Sequence, residues 1–249
     1  NKIIGDSTKI AEALNNIGNV HYIRGDFTKA IDYYFQSLRI KEAQNRELEV
    51  AKTYFNIANV YKDIDKHEEA LDQYNNALEL YITANDSGTI ASCYNNIGIV
   101  YESLNDFNRA LNYYRRAVSI RRILHDSANL ATNYINIGSV FTEMNQLDSA
   151  LFYVNQAMDI ARNENRKHSI ATLYRNKSAL YRQKRQFDSA IESNFKSLDI
   201  AGQIGALQLV ELNYKDLAEI YKAKNDFRQA YRYNVLYNQV KDSIFNKDK

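Results

Sequence analysis

Small and apolar residues return along the chain in a pattern that repeats every forty residues. The clearest copy spans Asn95–Tyr101, and equivalent stretches begin at residues 15, 55, 135, 175 and 215. Within each copy the apolar positions have helical spacing, and a second helical pattern follows it. A period of this length is typical of helical repeat proteins, whose single units cannot bury their apolar faces alone. The sequence therefore predicts six repeats of two helices each.

A short polar break divides each unit, at residues 24–26, 64–66, 104–106, 144–146, 184–186 and 224–226. In four breaks the central residue is of a type that ends helices in the left-handed conformation: Gly25, Asn105, Asn145 and Asn225. In three of these, an aspartate follows as a predicted N-cap of the second helix: Asp26, Asp106 and Asp226. The second helix carries an alanine at one position in all six copies, which predicts the closest contact between the two helices. These alanines are Ala30, Ala70, Ala110, Ala150, Ala190 and Ala230.

The predicted domain is one solenoid over residues 1–249, with repeats at about 7–46, 47–86, 87–126, 127–166, 167–206 and 207–246. Residues 1–4 align with the end of a second helix, so they are predicted to be a fragment of an earlier helix. Val240, Ile244 and Phe245 continue an apolar stripe through the position of the usual break, which predicts a longer final helix. We therefore expect the natural gene product to be longer at both ends.

Composition agrees with a helical chain. There is no proline and only 8 glycines, so the main helix breakers are scarce. No apolar run of about 18 residues is present, which predicts a soluble domain without a membrane span. The one cysteine, Cys93, is interpreted as a small apolar filler. The net charge of +2 argues against a nucleic-acid partner, although residues 161–200 carry 9 Lys and Arg against 4 Asp and Glu.

The repeats resemble the tetratricopeptide repeat, whose pattern runs from an aromatic residue through Leu-Gly and Tyr to Ala and a second aromatic residue. In the third unit the matching residues are Tyr94, Ile97, Gly98, Tyr101, Ala110 and Tyr114. The period of forty exceeds the usual length of about 34, and the closing proline is missing. Both departures fit helices that are nearly a turn longer, as in long-helix members of the family that bind peptides or scaffold protein complexes. The resemblance implies an all-α fold, a right-handed α-α superhelix whose first helices line a concave groove.

A weaker resemblance concerns the Asn-Asn-Ile-Gly stretches and residues 237–245, which are similar to repeat regions of Bacteroidetes-type regulators. In such regulators the repeats precede a membrane helix and a histidine kinase, or a helix-turn-helix output domain. The resemblance implies a periplasmic location in a membrane sensor kinase and a cytoplasmic one otherwise. Any membrane contact would come through flanking segments.

One arc of each first helix stays polar, and we call it the groove arc. It comprises positions 12, 15, 16, 19, 22 and 23 of the first repeat and their equivalents in the others. Position 16 is asparagine in five repeats, and a carboxamide can pair with both the N–H and the C=O of an extended chain. The resemblance implies peptide contact by these residues, while the alternative is hydrogen bonding to a neighbouring helix. They are Asn16, Asn56, Asn96, Asn136 and Asn176, with Asp216 in the sixth repeat.

The fifth and sixth repeats carry four cations on the groove arc: Arg175, Arg182, Lys215 and Lys222. Together they could hold a carboxylate or an acidic side chain through charge-assisted hydrogen bonds. The alternative interpretation is an ordinary solvated face. The row of asparagines offers about 0.5–1.5 kcal/mol per contact against an association cost of about 4–15 kcal/mol, so affinity requires such additional contacts.

No motif for catalysis, a cofactor or a metal is found. The four histidines fall at different repeat positions without metal-ligand spacing, and no phosphate-binding loop or nucleophile motif is present. The sequence therefore favours a non-enzymatic module that binds a protein or peptide segment in the groove, as the sensing or docking region of a regulator. The alternative is a structural scaffold or a dimerisation module without a groove ligand, in which the partner is a second copy of the same chain. Nucleic-acid binding is disfavoured by the near-neutral charge.

Overall fold

A computed structural model describes the backbone of residues 2–247 and the side chains of residues 7–244. Over these residues the chain is all-α, and its helices form two compact units, Asn1–Asp126 and Ser127–Lys249. The first unit contains α1 (Lys2–Ile23), α2 (Phe27–Ala43), α3 (Glu47–Asp63), α4 (His67–Thr83), α5 (Ser87–Ser103) and α6 (Phe107–Ile123). The second contains α7 (Ser127–Glu143), α8 (Leu147–Asn163), α9 (Lys167–Gln183), α10 (Phe187–Gln203), α11 (Leu207–Ala223) and α12 (Phe227–Lys247). The fold class agrees with the prediction, and the single solenoid predicted over residues 1–249 is grouped into two units of three helix pairs.

Each break between these helices contains one residue in the left-handed conformation. The four residues predicted for this role have φ values of 77° at Gly25, 58° at Asn105, 56° at Asn145 and 64° at Asn225. Asparagine also fills the role at Asn45, Asn85 and Asn165, between one helix pair and the next. The left-handed residue reverses the chain within three residues, so that consecutive helices run back along each other.

The predicted N-caps are confirmed at two of three positions. Asp106 accepts a hydrogen bond from the backbone N–H of Arg109, and Asp226 accepts one from Gln229. The prediction for Asp26 is wrong, because its carboxylate lies 3.3 Å from both Lys29 Nζ and His21 Nδ1 and makes no cap hydrogen bond. At this position the side chains of Lys29 and His21 compete successfully with the backbone amides.

The two helices of a pair approach most closely at the predicted alanine. Five of the six alanines are fully buried, and Ala230 is half-buried. In the first pair a Cβ added at Gly18 would lie 3.3 Å from the carbonyl oxygen of Ala30, and in the fifth pair Ser178 donates a hydrogen bond to the carbonyl oxygen of Ala190. The alanine therefore meets position 18 of the first helix, where a larger residue on either side would separate the backbones.

Successive pairs stack through apolar residues that no single pair could bury. In the first unit, Tyr34 and Leu38 of α2 share a core with Val50, Ile57 and Val60 of α3. In the second unit, Ala201 of α10 packs with Ala171 of α9 and Leu209 of α11. Helices of 17 residues are marginal in isolation, so this stacking supplies most of their stability.

The ends of the chain depart from the regular spacing. Residues 2–4 do not form a separate helix, as was predicted for residues 1–4, because α1 begins at Lys2 and passes through Gly5 without interruption. A few residues cannot nucleate a helix alone, so they extend the existing one. Asn1 lies outside the described residues. At the other end α12 continues to Lys247, as the apolar residues Val240 and Ile244 predict.

Candidate functional site

The groove arc keeps its predicted exposure in both units. Its residues are half-buried or exposed on every first helix, whereas the opposite arc contains fully buried residues such as Ile57, Ile97 and Ile137. In the row of asparagines, Asn16 is exposed and the other four are half-buried. The groove arc is therefore accessible to a partner without unfolding.

Two asparagines of the row hydrogen-bond the first helix of the preceding repeat. Asn56 donates from Nδ2 to Oδ1 of Asn15 over 3.4 Å, and Asn96 donates to Oδ1 of Asn59 over 3.2 Å. Asn136 also interacts with a neighbouring group. The structural alternative raised from the sequence therefore accounts for part of the row, although these side chains remain half-exposed.

Buried tyrosines of the second helices join this hydrogen-bonded layer. The hydroxyl of Tyr34 donates to Oδ1 of Asn19 over 2.7 Å, and that of Tyr74 donates to Oδ1 of Asn59 over 2.6 Å. Tyr114 donates instead to Glu102. Burial raises the pKa of Tyr34 to about 12, so the hydroxyl keeps its proton and acts as a donor at neutral pH.

Two cavities open on the groove arc, each between successive first helices. In the first unit, a cavity of about 280 Å³ lies between α1 and α3, with Tyr34 below it and Asn19, Asn56 and Asn59 around it. In the second unit, a cavity of about 290 Å³ lies between α7 and α9, and we call it the α7–α9 pocket. Its lining includes Gly138, Ser139, Thr142, Val154, Asn176 and Leu180. Each cavity therefore presents one asparagine of the predicted row, Asn56 or Asn176, beside space that a ligand could enter.

The two cavities differ in their lower surface. In the first unit the ring of Tyr34 covers Gly18 so closely that a Cβ added there would lie 2.7 Å from Cδ1 of the tyrosine. In the second unit the equivalent of Tyr34 is Val154, and Gly138 lines the cavity directly. The sequence carries a signal for this difference, because the residue at this second-helix position changes in size between repeats. The six residues are Tyr34, Tyr74, Tyr114, Val154, Asn194 and Asn234.

The predicted anion site contains an ion pair of its own. Nε of Arg175 lies 2.5 Å from Oδ2 of Asp216, on the first helix of the next repeat, and both side chains are about one quarter exposed. The carboxylate that Arg175 was predicted to bind is therefore supplied by the chain itself. Arg182 is half-buried, and Lys215 and Lys222 are exposed on the groove arc. These three cations remain candidates for contact with an acidic ligand.

Other candidate groups have structural surroundings. His21 stacks on Tyr33, with ring centroids 5.4 Å apart. Cys93 is fully buried, and burial raises the pKa of its thiol to about 12. Within the described part of the chain, no cluster of His, Cys, Asp and Glu side chains could hold a metal ion. No helix among the described residues is both long and apolar enough to cross a bilayer.

The chain belongs to the tetratricopeptide repeat family. Residues 49–123, 89–163 and 11–43 match tetratricopeptide repeat families, and together these segments cover more than half of the sequence. Members of this family generally act as non-catalytic scaffolds for protein interaction. No curated protein shows significant sequence similarity to the chain.

Several solved structures have a similar fold. BtubC (BKLC) from P. vanneervenii is 17% identical, with a TM-score of 0.70 over 97% of this chain and 90% of that one. The apo form of RapI is 18% identical, with a TM-score of 0.69 over 96% of this chain and 85% of that one. A Rap protein complexed with competence and sporulation factor is 17% identical, with a TM-score of 0.64 over 94% of this chain and 75% of that one. At these identities the likeness establishes the tetratricopeptide solenoid fold.

Proposed function

We propose that the chain is a non-enzymatic binding module that holds an extended protein or peptide segment against the groove arc. The observation that carries this proposal is the pair of cavities between first helices, each lined by an asparagine of the row. Asn176 makes no side-chain hydrogen bond within residues 7–244, and Asn56 makes only the 3.4 Å bond to Asn15. Their carboxamides can therefore pair with the backbone of a bound segment without breaking a strong internal contact.

The charge of the groove arc in the second unit favours an acidic ligand. Arg182, Lys215 and Lys222 lie on the groove arc of the second unit, where residues 161–200 carry 9 Lys and Arg against 4 Asp and Glu. An acidic side chain or a terminal carboxylate on the ligand would gain charge-assisted hydrogen bonds there. Arg175 contributes less, since Asp216 already neutralises it.

The proposal is tested by selecting peptides from a random display library and measuring their affinity by isothermal titration calorimetry. Asn56→Ala or Asn176→Ala should weaken the binding of a peptide held at the cavity that the asparagine lines roughly 2- to 12-fold, as loss of one backbone hydrogen bond implies. The matched controls are Asn76→Ala and Asn155→Ala, which remove exposed asparagines from second helices. Equal losses in the control and groove variants would contradict the proposal, as would a selection that yields no binding peptide.

We further propose that the module is the sensing or docking region of a larger bacterial signalling regulator. The support is the fold shared with Rap proteins, one of which is complexed with competence and sporulation factor. In a membrane sensor kinase the module would lie in the periplasm, and otherwise in the cytoplasm. The full-length gene sequence tests this proposal, which predicts a kinase or a helix-turn-helix domain beside the repeats and fails if neither is encoded.

A second candidate function is assembly through the apolar face that α1 exposes. Ile17 and Val20 on α1 are 41% and 46% exposed, whereas the equivalent residues of α3, Ile57 and Val60, are fully buried. A homodimer or a scaffold contact would cover this apolar face. Light scattering over a range of protein concentrations distinguishes the candidates. A dimer mass that is lost in Ile17→Lys would favour assembly, and a monomer at all concentrations would exclude it.

A further inference from the structure

The α7–α9 pocket lies where other repeats of this chain hold a tyrosine ring. In the first three repeats the second helix carries Tyr34, Tyr74 or Tyr114, each at most 1% exposed and packed against its own first helix. The fourth repeat has Val154 at this position, and the pocket lies above it. The pocket reaches Gly138 and Leu180, whereas the cavity of the first unit, which has a similar volume, ends at the ring of Tyr34.

Position 18 of the first helix is still a glycine, Gly138, in the fourth repeat. A Cβ at Gly98 would lie 2.6 Å from Cε1 of Tyr114, so glycine gives the buried ring its room in the third repeat, although the second repeat has Ala58 beside Tyr74. At Gly138 the nearest atoms to an added Cβ are the carbonyl oxygen of Ala150 at 3.5 Å and Cγ2 of Val154 at 3.6 Å. The fourth repeat thus retains the glycine although its second helix carries Val154 where the third repeat has Tyr114.

The hydrogen-bond acceptors for a phenol are also in place. The tyrosine hydroxyls of the first three repeats donate to position 19, at Asn19 and Asn59, or to position 22, at Glu102. In the fourth repeat these positions are Ser139 and Thr142, and both line the pocket. Thr142 donates its hydroxyl hydrogen to the carbonyl oxygen of Gly138 over 2.8 Å, which leaves the lone pairs of its Oγ1 for an incoming O–H.

The volume fits the same occupant. A dry protein cavity of about 150 Å³ is known to hold a benzene molecule, and the α7–α9 pocket, which is open to solvent, has about 290 Å³, enough for a phenol ring. On the wall formed by α9, Asn176 and Gln183 face the pocket from the groove arc. A residue of an extended chain could place its side chain in the pocket and its backbone beside the Asn176 carboxamide.

We propose that the α7–α9 pocket binds a tyrosine side chain of the segment held on the groove arc, in the place that Tyr34, Tyr74 and Tyr114 fill in the other repeats. This inference rests on the proposed function for the source of the tyrosine. The pocket supplies the apolar burial that the row of asparagines lacks, and therefore the selectivity of binding.

The experiment uses p-cresol, the tyrosine side chain alone, with toluene as the probe that lacks the hydroxyl. Saturation-transfer NMR and calorimetry should show p-cresol binding at one site and tighter than toluene. Val154→Tyr, which places the chain's own tyrosine ring over Gly138, should weaken p-cresol binding roughly 10- to 100-fold, as expected for loss of one buried aromatic ring. Ser139→Ala with Thr142→Val should remove the advantage of p-cresol over toluene.

Two smaller substitutions, one at a pocket glycine and one at a control glycine, test the same inference without Val154→Tyr. Gly138→Ala places a methyl group in the pocket and should weaken p-cresol binding, whereas Gly202→Ala, with no atom within 4 Å of the added Cβ, should leave it unchanged. Unchanged binding in folded Val154→Tyr or in Gly138→Ala would overturn the inference. So would equal affinity for p-cresol and toluene.

Peptides separate this inference from the proposed function. If selected peptides bind but replacing their tyrosines by alanine leaves affinity unchanged, the pocket assignment is overturned while groove binding stands. If no peptide binds but p-cresol binding is lost in Val154→Tyr, the pocket assignment is supported and groove binding is overturned. If tyrosine-containing peptides bind and lose roughly 10- to 100-fold in affinity in Val154→Tyr, both are supported.

Discussion

Asn96 donates a hydrogen bond to Oδ1 of Asn59, and the same oxygen accepts the hydroxyl of Tyr74 at 2.6 Å. One carboxamide of the second repeat therefore joins a buried tyrosine of its own pair to an asparagine of the next repeat. Asn96 also accepts a hydrogen bond from Asn95 over 3.2 Å. In the row of asparagines, Asn96 thus ties two repeats together, Asn176 faces a cavity, and Asn56 does both.

This division predicts different effects of the same substitution on stability. Asn96→Ala removes a bond between repeats and should lower the free energy of unfolding by about 1 kcal/mol relative to Asn176→Ala. Both changes gain the same helix propensity, so their difference reports the hydrogen bonds that Asn96 makes with Asn59 and Asn95. Urea unfolding of the two variants measures it, and equal midpoints would show that the Asn59 contact contributes nothing.

The glycines at position 18 predict opposite outcomes for an added methyl group. Gly98→Ala forces a Cβ against the buried ring of Tyr114 and should destabilise the chain by roughly 1 kcal/mol. We expect a cost at the low end, because the second repeat accommodates Ala58 opposite Tyr74. Gly138→Ala meets only ordinary contacts and should stabilise by up to about 1 kcal/mol through helix propensity.

Thermal unfolding of the two glycine variants checks this prediction. A higher midpoint for Gly138→Ala together with a lower one for Gly98→Ala is the expected result. A stabilising effect of both would mean that the ring of Tyr114 moves aside freely.

The ion pair of Arg175 and Asp216 should show a small coupling. Both side chains are about one quarter exposed, so a double-mutant cycle with Arg175→Gln and Asp216→Asn should give roughly 0.5–1 kcal/mol. The coupling should shrink at about 1 M salt, where the Debye length falls to about 3 Å. A coupling indistinguishable from zero at low salt would indicate that the arginine is free for an anionic ligand.

The buried tyrosines predict a loss of stability at alkaline pH. Burial raises the pKa of Tyr34 from 10.0 to about 12, so the folded state favours the neutral phenol. That contribution is complete below pH 10 and is lost as the pH rises towards 12. Tyr34→Phe should therefore reduce the fall in melting temperature over this range. Tyr231→Phe, at a ring that is 72% exposed, is the matched control and should not change it.

The fold could be predicted from the sequence because residues that end helices, and small residues at helix contacts, recur every forty positions. Gly25 and Asn105 belong to the residue types that end helices in the left-handed conformation, and both do so here. Ala30 and its equivalents lie where two helices pack most closely. The capping role of Asp26 was predicted wrongly, since the sequence does not show that His21 and Lys29 both reach its carboxylate.

Less of the candidate site could be predicted from the sequence, because its side-chain contacts join one repeat to the next. Arg175 and Asp216 are 41 residues apart, and helical periodicity does not give the distance between side chains at that separation. The pocket above Val154 left a signal in the sequence, the change from Tyr114 to Val154 at one repeat position. Comparing side-chain volumes between repeats would have located it.

Groove binding requires contact between a bound segment and the asparagine carboxamides that face the two cavities. The most direct measurement is NMR of the side-chain NH₂ groups during titration with a peptide selected from a display library. Groove binding predicts shifts of the Asn56 or Asn176 resonances, while those of Asn76 and Asn155, on the second helices, stay unchanged. Shifts confined to second-helix residues, with Asn56 and Asn176 unaffected at saturation, would contradict it.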